Sequence, residues 1–155
     1  KQLWERVLLD QLIFDVKDNI DAIMPDNKII VHLPELPADH NDISLSGNYD
    51  LLKIATGNIV LNACKYSSNK EVNIHLSIQN RQGIITIKDT GIGIPSSEIK
   101  HIYDPFFRAS NTKGFEGYGI GMPLSGNIIK LHKGRIEVTS EVEKGTTVTI
   151  FLPLN

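Results

Sequence analysis

Three stretches of the chain carry apolar residues at helical spacing. Near the amino terminus they recur every fourth residue, at Trp4, Leu8, Leu12, Val16 and Ile20. This spacing predicts an amphipathic helix that packs one stripe of side chains on a core. A long helix is expected over residues 48–66, capped by Asn48 or Ser46. A third is expected from about residue 123 to residue 133, with Pro123 in its first turn.

Other stretches alternate apolar and polar residues, which is the period of a half-buried strand. Strands are expected over residues 28–33, 43–45, 72–79, 84–89, 135–142 and 146–152. Short turns join several of them into antiparallel hairpins, which a doubly wound parallel sheet does not contain. We therefore expect an α/β (α+β) two-layer sandwich, in which about three helices cover one face of a mixed, mostly antiparallel sheet of about five strands.

Composition and charge narrow the class of protein. The 155 residues carry 16 Lys and Arg against 18 Asp and Glu, a net charge of −2, and no basic cluster stands out. Neither nucleic-acid binding nor direct membrane contact is expected. The length, the balanced charge and the 41% of apolar residues fit a single domain, residues 1–155. One cysteine and no apolar run of about 20 residues favour a reducing, cytoplasmic setting. Because the chain starts at Lys1 without Met or a signal-like segment, we expect it to be part of a longer protein.

The long predicted helix carries a polar stripe. Asn58, Asn62, Lys65 and Tyr66 lie at i, i+4, i+7 and i+8, so their side chains share one face. Two amides and an ammonium group could hold a hydrated metal ion and phosphate oxygens. The alternative is an ordinary solvated helix face.

Two polar residues fall on the apolar side of predicted strands. Asp89 shares that side with the isoleucines before it, so its carboxylate needs hydrogen-bond donors. The amides of the turn at residues 90–93 could supply them, or a ligand could, such as the exocyclic amine of adenine. Gly91 and Gly93 would let the backbone approach a flat ring closely. Thr146 also points inward, and its hydroxyl either meets Asp89 or bonds its own backbone.

A glycine-rich segment precedes the third predicted helix. Gly117, Gly119 and Gly121 lie just before its amino terminus, where free amides and the helix dipole can bind phosphate. The spacing resembles half of a dinucleotide-binding fingerprint, but the predicted hairpins argue against the βαβ unit that this motif needs. Arg108, upstream of these glycines, is either a surface charge or a phosphate contact.

Five segments, taken in order, resemble the sequence boxes of a sensor histidine kinase's catalytic domain. They are NIVLNACKYS (58–67), DTGIGIP (89–95), DPFFRAS (104–110), GYGIGM (117–122) and GTTVTIFLP (145–153). In that order they resemble the N, G1, F, G2 and G3 boxes of the GHKL superfamily, which has the Bergerat ATP-binding fold. The order of all five is far more specific than any one of them.

The resemblance implies a site for ATP and Mg²⁺. The residues that it implies for binding are Asn58, Asn62, Lys65, Tyr66, Asp89, Gly91, Gly93, Ile94, Gly117, Tyr118, Gly119, Ile120, Gly121, Met122 and Thr146. Asn62 would ligate Mg²⁺, Asp89 would accept the adenine amino group, and Thr146 would bond the base or a bridging water. Residues 108–116 would form a lid over the nucleotide. The catalytic residues that it implies are Asn58, Lys65 and Arg108.

The resemblance also bears on the reaction. GHKL ATPases resemble one another in placing a Glu one helical turn before the metal-binding Asn, where it activates water. This chain has Asn58 there, and an amide cannot take the proton, so transfer of the γ-phosphate to a docked side chain is favoured. A clamp-type GHKL ATPase and a non-catalytic nucleotide-binding module remain alternatives.

The histidines of the chain lack the context of a phosphoacceptor. None of His32, His40, His75, His101 and His132 is followed by the acidic residue and later Pro that the resemblance would require. The implied partners are therefore a separate helical hairpin that carries the phosphoacceptor His, and a downstream response regulator. We expect a monomeric fragment that does not phosphorylate itself, from a homodimeric sensor in the plasma membrane.

Overall fold

The computed structural model describes residues 4–34, 43–67, 70–104, 107 and 121–155. Within these residues lie three α-helices: α1 (Leu9–Ile23), α2 (Tyr49–Tyr66) and α3 (Gly121–Leu131). The strands are β1 (Glu5–Leu8), β2 (Ile29–His32), β3 (Ser44–Gly47), β4 (Val72–Gln79), β5 (Gln82–Asp89), β6 (Arg135–Glu141) and β7 (Gly145–Pro153). A short 3-10 helix spans Ile99–His101.

A five-stranded mixed sheet forms one layer of the molecule. Its strand order is β2-β4-β5-β7-β6, and β2 pairs with β4 in parallel while the other neighbours are antiparallel. The strands β1 and β3 pair separately as a two-stranded antiparallel sheet. The α-helices pack on one face of the large sheet, as the alternating burial of β4 and β5 requires. The predicted two-layer sandwich is confirmed.

The core lies between the helices and the large sheet. The inward residues of the sheet and the apolar stripes of the helices supply its fully buried side chains, among them Leu12, Leu52, Ile59, Ile85 and Ile150. Each such Leu or Ile stabilises the fold by roughly 1.5–3 kcal/mol relative to an exposed position. The helices therefore take fixed positions on the sheet.

Polar contacts fix where α2 begins. The side chain of Asn48 accepts a hydrogen bond from the Leu51 amide at 3.0 Å, which confirms Asn48 as the helix cap. The backbone amide of Asn48 in turn donates to Nε2 of the buried His132 at 3.0 Å. Nδ1 of His132 lies 2.8 Å from the Ile128 carbonyl oxygen. One imidazole thus joins the start of α2 to the end of α3.

The predicted first helix is wrong at its start. Glu5–Leu8 form strand β1, in which Val7 pairs with Leu45 of β3, and the helix begins only at Leu9. Trp4 is 44% exposed, so it does not belong to the buried stripe. The spacing of four between Trp4 and Leu8 continued the helical pattern by coincidence. Pairing with a strand about forty residues later overrides local preference, as tertiary context often does.

The third helix also begins earlier than predicted, at Gly121 instead of Pro123. The proline still lies in the first turn, as expected, because its missing amide is not needed there. None of the helices in the described part of the chain is both long and apolar enough to span a membrane.

Candidate functional site

A cavity lies between α2, the start of α3 and the large sheet. The sequence-predicted residues that line it are Asn62, Tyr66, Asp89, Gly93, Ile94, Met122 and Thr146. The remaining lining residues are apolar: Ile59, Ala63, Ile87, Ile102, Val138 and Val148. The sequence did not single out this second group, because an inward Ile or Val on a strand cannot be told from ordinary core. The site is thus a largely apolar cavity with a few polar groups in its lining.

Asp89 ends strand β5 with only 6% of its surface exposed. The amides of Gly91 and Thr146 donate hydrogen bonds to its Oδ1, at 2.9 and 3.3 Å. Burial raises the pKa of this carboxyl above its ordinary value, and the two amide bonds offset part of the rise. Both bonds end on Oδ1, so Oδ2 is the oxygen that can still accept a hydrogen bond from a ligand in the cavity.

Thr146 is half-buried beside Asp89, but the two residues meet through the backbone. Of the two alternatives for the Thr146 hydroxyl, a contact with Asp89 or a bond to its own backbone, the structure shows neither: that hydroxyl lies 2.7 Å from Oγ of Ser140 on β6. Sequence reasoning missed Ser140. Its position on an alternating strand, pointing to the same side as Val138, is the signal that could have indicated it.

The loop after Asp89 is fixed by backbone contacts on both sides. The Ile92 amide donates to the Tyr66 carbonyl at 3.1 Å, and the Ile92 carbonyl accepts from the Glu143 amide at 2.8 Å. A Cβ on Gly91 would lie 2.0 Å from the Tyr66 carbonyl oxygen, and one on Gly93 would lie 2.1 Å from that of Glu141. These glycines therefore let the loop pass between the end of α2 and the turn that joins β6 to β7.

The predicted polar stripe of α2 is half-buried, and its two asparagines lie beside the start of α3. A Cβ on Gly121 would lie 3.8 Å from both Cβ of Asn58 and Nδ2 of Asn62. Asn62 lines the cavity, whereas Asn58 and Lys65 do not. The structure thus brings the two amides to the amino terminus of α3 and leaves Lys65 farther along the helix.

Five of the predicted site residues lie outside the described part of the chain. They are Arg108, Gly117, Tyr118, Gly119 and Ile120. The expected lid, residues 108–116, lies outside it too.

Cys64 of α2 faces the core close to the site. It is 5% exposed, and burial together with the negative charge of Asp89 raises the pKa of its thiol to about 11. Cys64 is thus a small buried side chain of the core.

Fold and site together define a class of protein: an α/β sandwich whose cavity lies between a helix that presents the Asn62 amide and a strand that ends in a buried carboxylate. Residues 47–155 match the family described as "Histidine kinase-, DNA gyrase B-, and HSP90-like ATPase". The match covers well over half of the chain, and the chain belongs to this family.

Two relatives found by sequence comparison are sensor kinases. The sensor histidine kinase YclK of Bacillus subtilis is 30% identical over 131 residues, which are 83% of this chain and 26% of that protein. The signal transduction histidine-protein kinase ArlS of Staphylococcus aureus is 40% identical over 92 residues, which are 57% of this chain and 20% of that protein. The chain therefore spans about a quarter or less of the length of these relatives.

Solved structures share the fold over nearly the whole chain. The mycobacterial sensor histidine kinase MprB superposes with a TM-score of 0.82 at 23% identity, covering 99% of both chains. The nucleotide-free catalytic domain of the histidine kinase ThkA has a TM-score of 0.80 at 18% identity, covering 99% of this chain and 97% of its own. Because the sequence identities are this low, the likeness establishes the fold alone.

Proposed function

We propose that this chain is the catalytic domain of a two-component sensor histidine kinase. It binds ATP with Mg²⁺ and donates the γ-phosphate to a histidine on a separate dimerisation and phosphoacceptor domain. The observation that carries the proposal is the buried Asp89, whose Oδ2 has no partner among the described residues and which opens on a largely apolar slot. A flat heterocycle with an exocyclic amine satisfies both features.

The base would bind at the Asp89 end of the cavity. Its amino group would donate to Asp89 Oδ2, and Thr146 would bond the ring edge or a bridging water. The apolar walls formed by Ile87 and Val148 would cover the faces of the ring. The proposal also assigns nucleotide contacts to Tyr66, Gly91, Gly93, Ile94 and Met122, of which all except Gly91 line the cavity.

The phosphates would bind between α2 and the start of α3. The amides of Asn58 and Asn62 fit Mg²⁺, since amide oxygens are hard ligands and this ion keeps several waters. Phosphate oxygens and waters would complete the coordination, since two amides cannot fill the octahedral shell that Mg²⁺ demands. When bound, the ion neutralises phosphate charge. Lys65, Arg108 and the segment 117–122 are proposed to contact the phosphates.

Kinase activity is favoured over hydrolysis by Asn58. A hydrolase needs a base that removes a proton from water, and an amide at this position cannot do so. What remains is positioning and neutralisation of charge, which is the main route of catalysis in phosphoryl transfer. The acceptor histidine and a membrane anchor would belong to other parts of a homodimeric protein, with this monomeric domain in the cytoplasm, and the response regulator would be a separate downstream partner. The short share of YclK and ArlS that the chain spans supports this arrangement.

The test has two stages. Calorimetry should first detect binding of MgADP and of MgATP to the domain at millimolar nucleotide concentrations or below. The domain is then mixed with radiolabelled ATP and the phosphoacceptor hairpin of the full-length kinase, beside a hairpin whose histidine is replaced by Gln. Acid-labile label should appear only on the unsubstituted hairpin.

Other outcomes would contradict the proposal in different ways. Nucleotide binding with steady-state phosphate release and no labelled hairpin would favour a clamp-type ATPase. Absence of nucleotide binding would favour a non-catalytic module.

A further inference from the structure

Ser140 joins three segments that surround the base end of the cavity. Its Oγ accepts a hydrogen bond from the Ile94 amide at 2.7 Å. The same atom lies 2.7 Å from the Thr146 hydroxyl and 3.1 Å from the Gly145 carbonyl oxygen. Ile94 and Thr146 both line the cavity, whereas Ser140 itself does not. Any influence of Ser140 on a ligand is therefore exerted through its neighbours.

A count of protons fixes the direction of these bonds. A serine hydroxyl has one proton to donate and two lone pairs that accept. The Ile94 amide occupies one lone pair, and the carbonyl of Gly145 can only accept, so it takes the serine proton. The Thr146 hydroxyl must then donate to the second lone pair of Ser140. This is the one arrangement that satisfies all three contacts together.

The arrangement decides what Thr146 can offer to a ligand. With its proton committed to Ser140, the Thr146 hydroxyl presents only lone pairs toward the cavity. Asp89 lies beside it, held through the Thr146 amide, and its carboxylate is also an acceptor. The base end of the cavity therefore presents neighbouring acceptors and no side-chain donor from these two residues.

We propose that Ser140 is a positioning residue that sets base selectivity, because it holds the Thr146 hydroxyl as an acceptor and keeps Ile94 of the adjoining loop in place. The inference rests on the proposed nucleotide-binding function. The amino group of a 6-amino purine donates to these acceptors, directly or through water. The carbonyl oxygen at the same position of a 6-oxo purine can only accept, so a 6-oxo purine is disfavoured at this wall.

Removing the hydroxyl should therefore weaken discrimination between bases. In Ser140→Ala the Thr146 hydroxyl can turn and donate, so a 6-oxo purine gains a partner while a 6-amino purine loses a fixed one. We expect affinity for ADP to fall about threefold and affinity for IDP to rise about threefold, so the preference for ADP drops about tenfold. Ser140→Thr keeps the hydroxyl on a strand that accepts β-branched residues, and should restore the preference.

The experiment measures dissociation constants for MgADP and MgIDP by calorimetry in each variant. Thr139→Ala is the matched control, because Thr139 is the exposed neighbour of Ser140 on the opposite face of β6. Thermal melts verify that each variant is folded. If Ser140→Ala melts too low, Ser140→Cys carries the same expectation, since a thiol is a similar size and a weak hydrogen-bonding group.

The outcomes separate this inference from the proposed function. If the unsubstituted chain binds neither nucleotide, both fail. If it binds ADP but Ser140→Ala leaves the ratio of ADP to IDP affinity unchanged, or weakens both nucleotides equally, only the role of Ser140 is overturned. A lowered ratio in Thr139→Ala, or no recovery in Ser140→Thr, would overturn it as well.

Discussion

Burial of the Asp89 carboxylate lowers the stability of the fold at neutral pH, although the same carboxylate is the group proposed to bind the ligand. Burial raises its pKa, so the folded chain binds its proton more readily than the unfolded chain does. Stability therefore falls as pH rises through the interval between the unfolded and folded pKa values, and the ionised group is a cost at neutral pH. Such a cost is typical of groups kept for function.

Asp89→Asn is predicted to stabilise the fold and to reverse base preference. The amide oxygen can take the place of Oδ1 and keep the bonds from Gly91 and Thr146, which puts an NH₂ donor in the place of Oδ2. Affinity for MgADP should fall about 10- to 100-fold, while affinity for MgIDP rises. Calorimetry with both nucleotides and a thermal melt at neutral pH test this. Asp104→Asn, at an exposed acid, is the control. Unchanged affinity for ADP would remove Asp89 from the site.

Asn62→Asp tests the other end of the cavity. A carboxylate in place of the amide should strengthen metal binding and repel the phosphates, so the Mg²⁺ dependence of ATP affinity should change more than base selectivity does. Titration of ATP at several Mg²⁺ concentrations measures the effect. The assignment is wrong if the Mg²⁺ dependence stays the same while the ADP-to-IDP ratio moves.

Two buried hydroxyls on the helices make a stability test at residue scale. Thr56 is 1% exposed and its Oγ1 has no partner among the described residues, whereas Ser125 is 0% exposed and donates to the Ala55 carbonyl at 2.9 Å. Thr56→Val should stabilise the chain by about 1 kcal/mol, and Ser125→Ala should destabilise it by about 1 kcal/mol. Urea unfolding measures both. Changes of the same sign would contradict this interpretation.

At the scale of elements, the loop after β5 depends on a conformation that only glycine adopts without strain. Gly93 has φ +71, and its missing Cβ leaves room for the Glu141 carbonyl. Gly93→Ala should cost about 1–3 kcal/mol and weaken nucleotide binding. Gly57→Ala is the contrasting control, because Gly57 lies inside α2 and, beyond its own stretch of helix, no heavy atom of the described residues lies within 4 Å of the added Cβ. That variant should gain about 0.5–1 kcal/mol. Equal effects in urea unfolding would contradict the argument.

Elements with strong local signals could be predicted from the sequence, and those set by distant contacts could not. The alternation in β4 and the capping Asn48 are local, and the structure has both where expected. Strand β1 exists because Val7 pairs with Leu45, and no pattern near Val7 indicates that pairing. In the site, Asp89 stood out as a carboxylate on an apolar face. Ser140 did not, because its role follows from three contacts that only the fold brings together.

At the scale of the molecule, the outer face of the large sheet carries two histidines side by side. His32 of β2 and His75 of β4 are paired in register, and their rings stack with centroids 4.2 Å apart. Partial burial, then the charges of His32 and Lys88, lower the pKa of His75 below its ordinary value of 6.5. The unfolded chain therefore binds this proton more readily than the folded chain.

The lowered pKa of His75 predicts that the fold loses stability as the pH becomes acidic. The contribution of His75 to the free energy of unfolding is complete above about pH 6.5, and it is lost as pH falls through the pKa that His75 has in the folded chain. Between about pH 8 and about pH 5, His75→Gln should show a smaller decline in the free energy of unfolding than the unsubstituted chain. Ser77→Ala, on the same face of β4, should keep the original slope. A slope for His75→Gln that matches the unsubstituted chain would exclude this histidine as the cause.

The buried thiol of Cys64 can report how often α2 moves away from the sheet. It is the one thiol in the sequence, it lies two positions after Asn62, and it is shielded in the native packing. A disulfide reagent reacts with the thiolate, so labelling must wait until α2 moves away from the sheet and exposes the sulfur. The labelling rate would then read the frequency of that motion without any attached dye. A ligand that holds α2 against the sheet would lower the rate at which Cys64 is labelled, and the decrease would grow with the fraction of chains that carry the ligand.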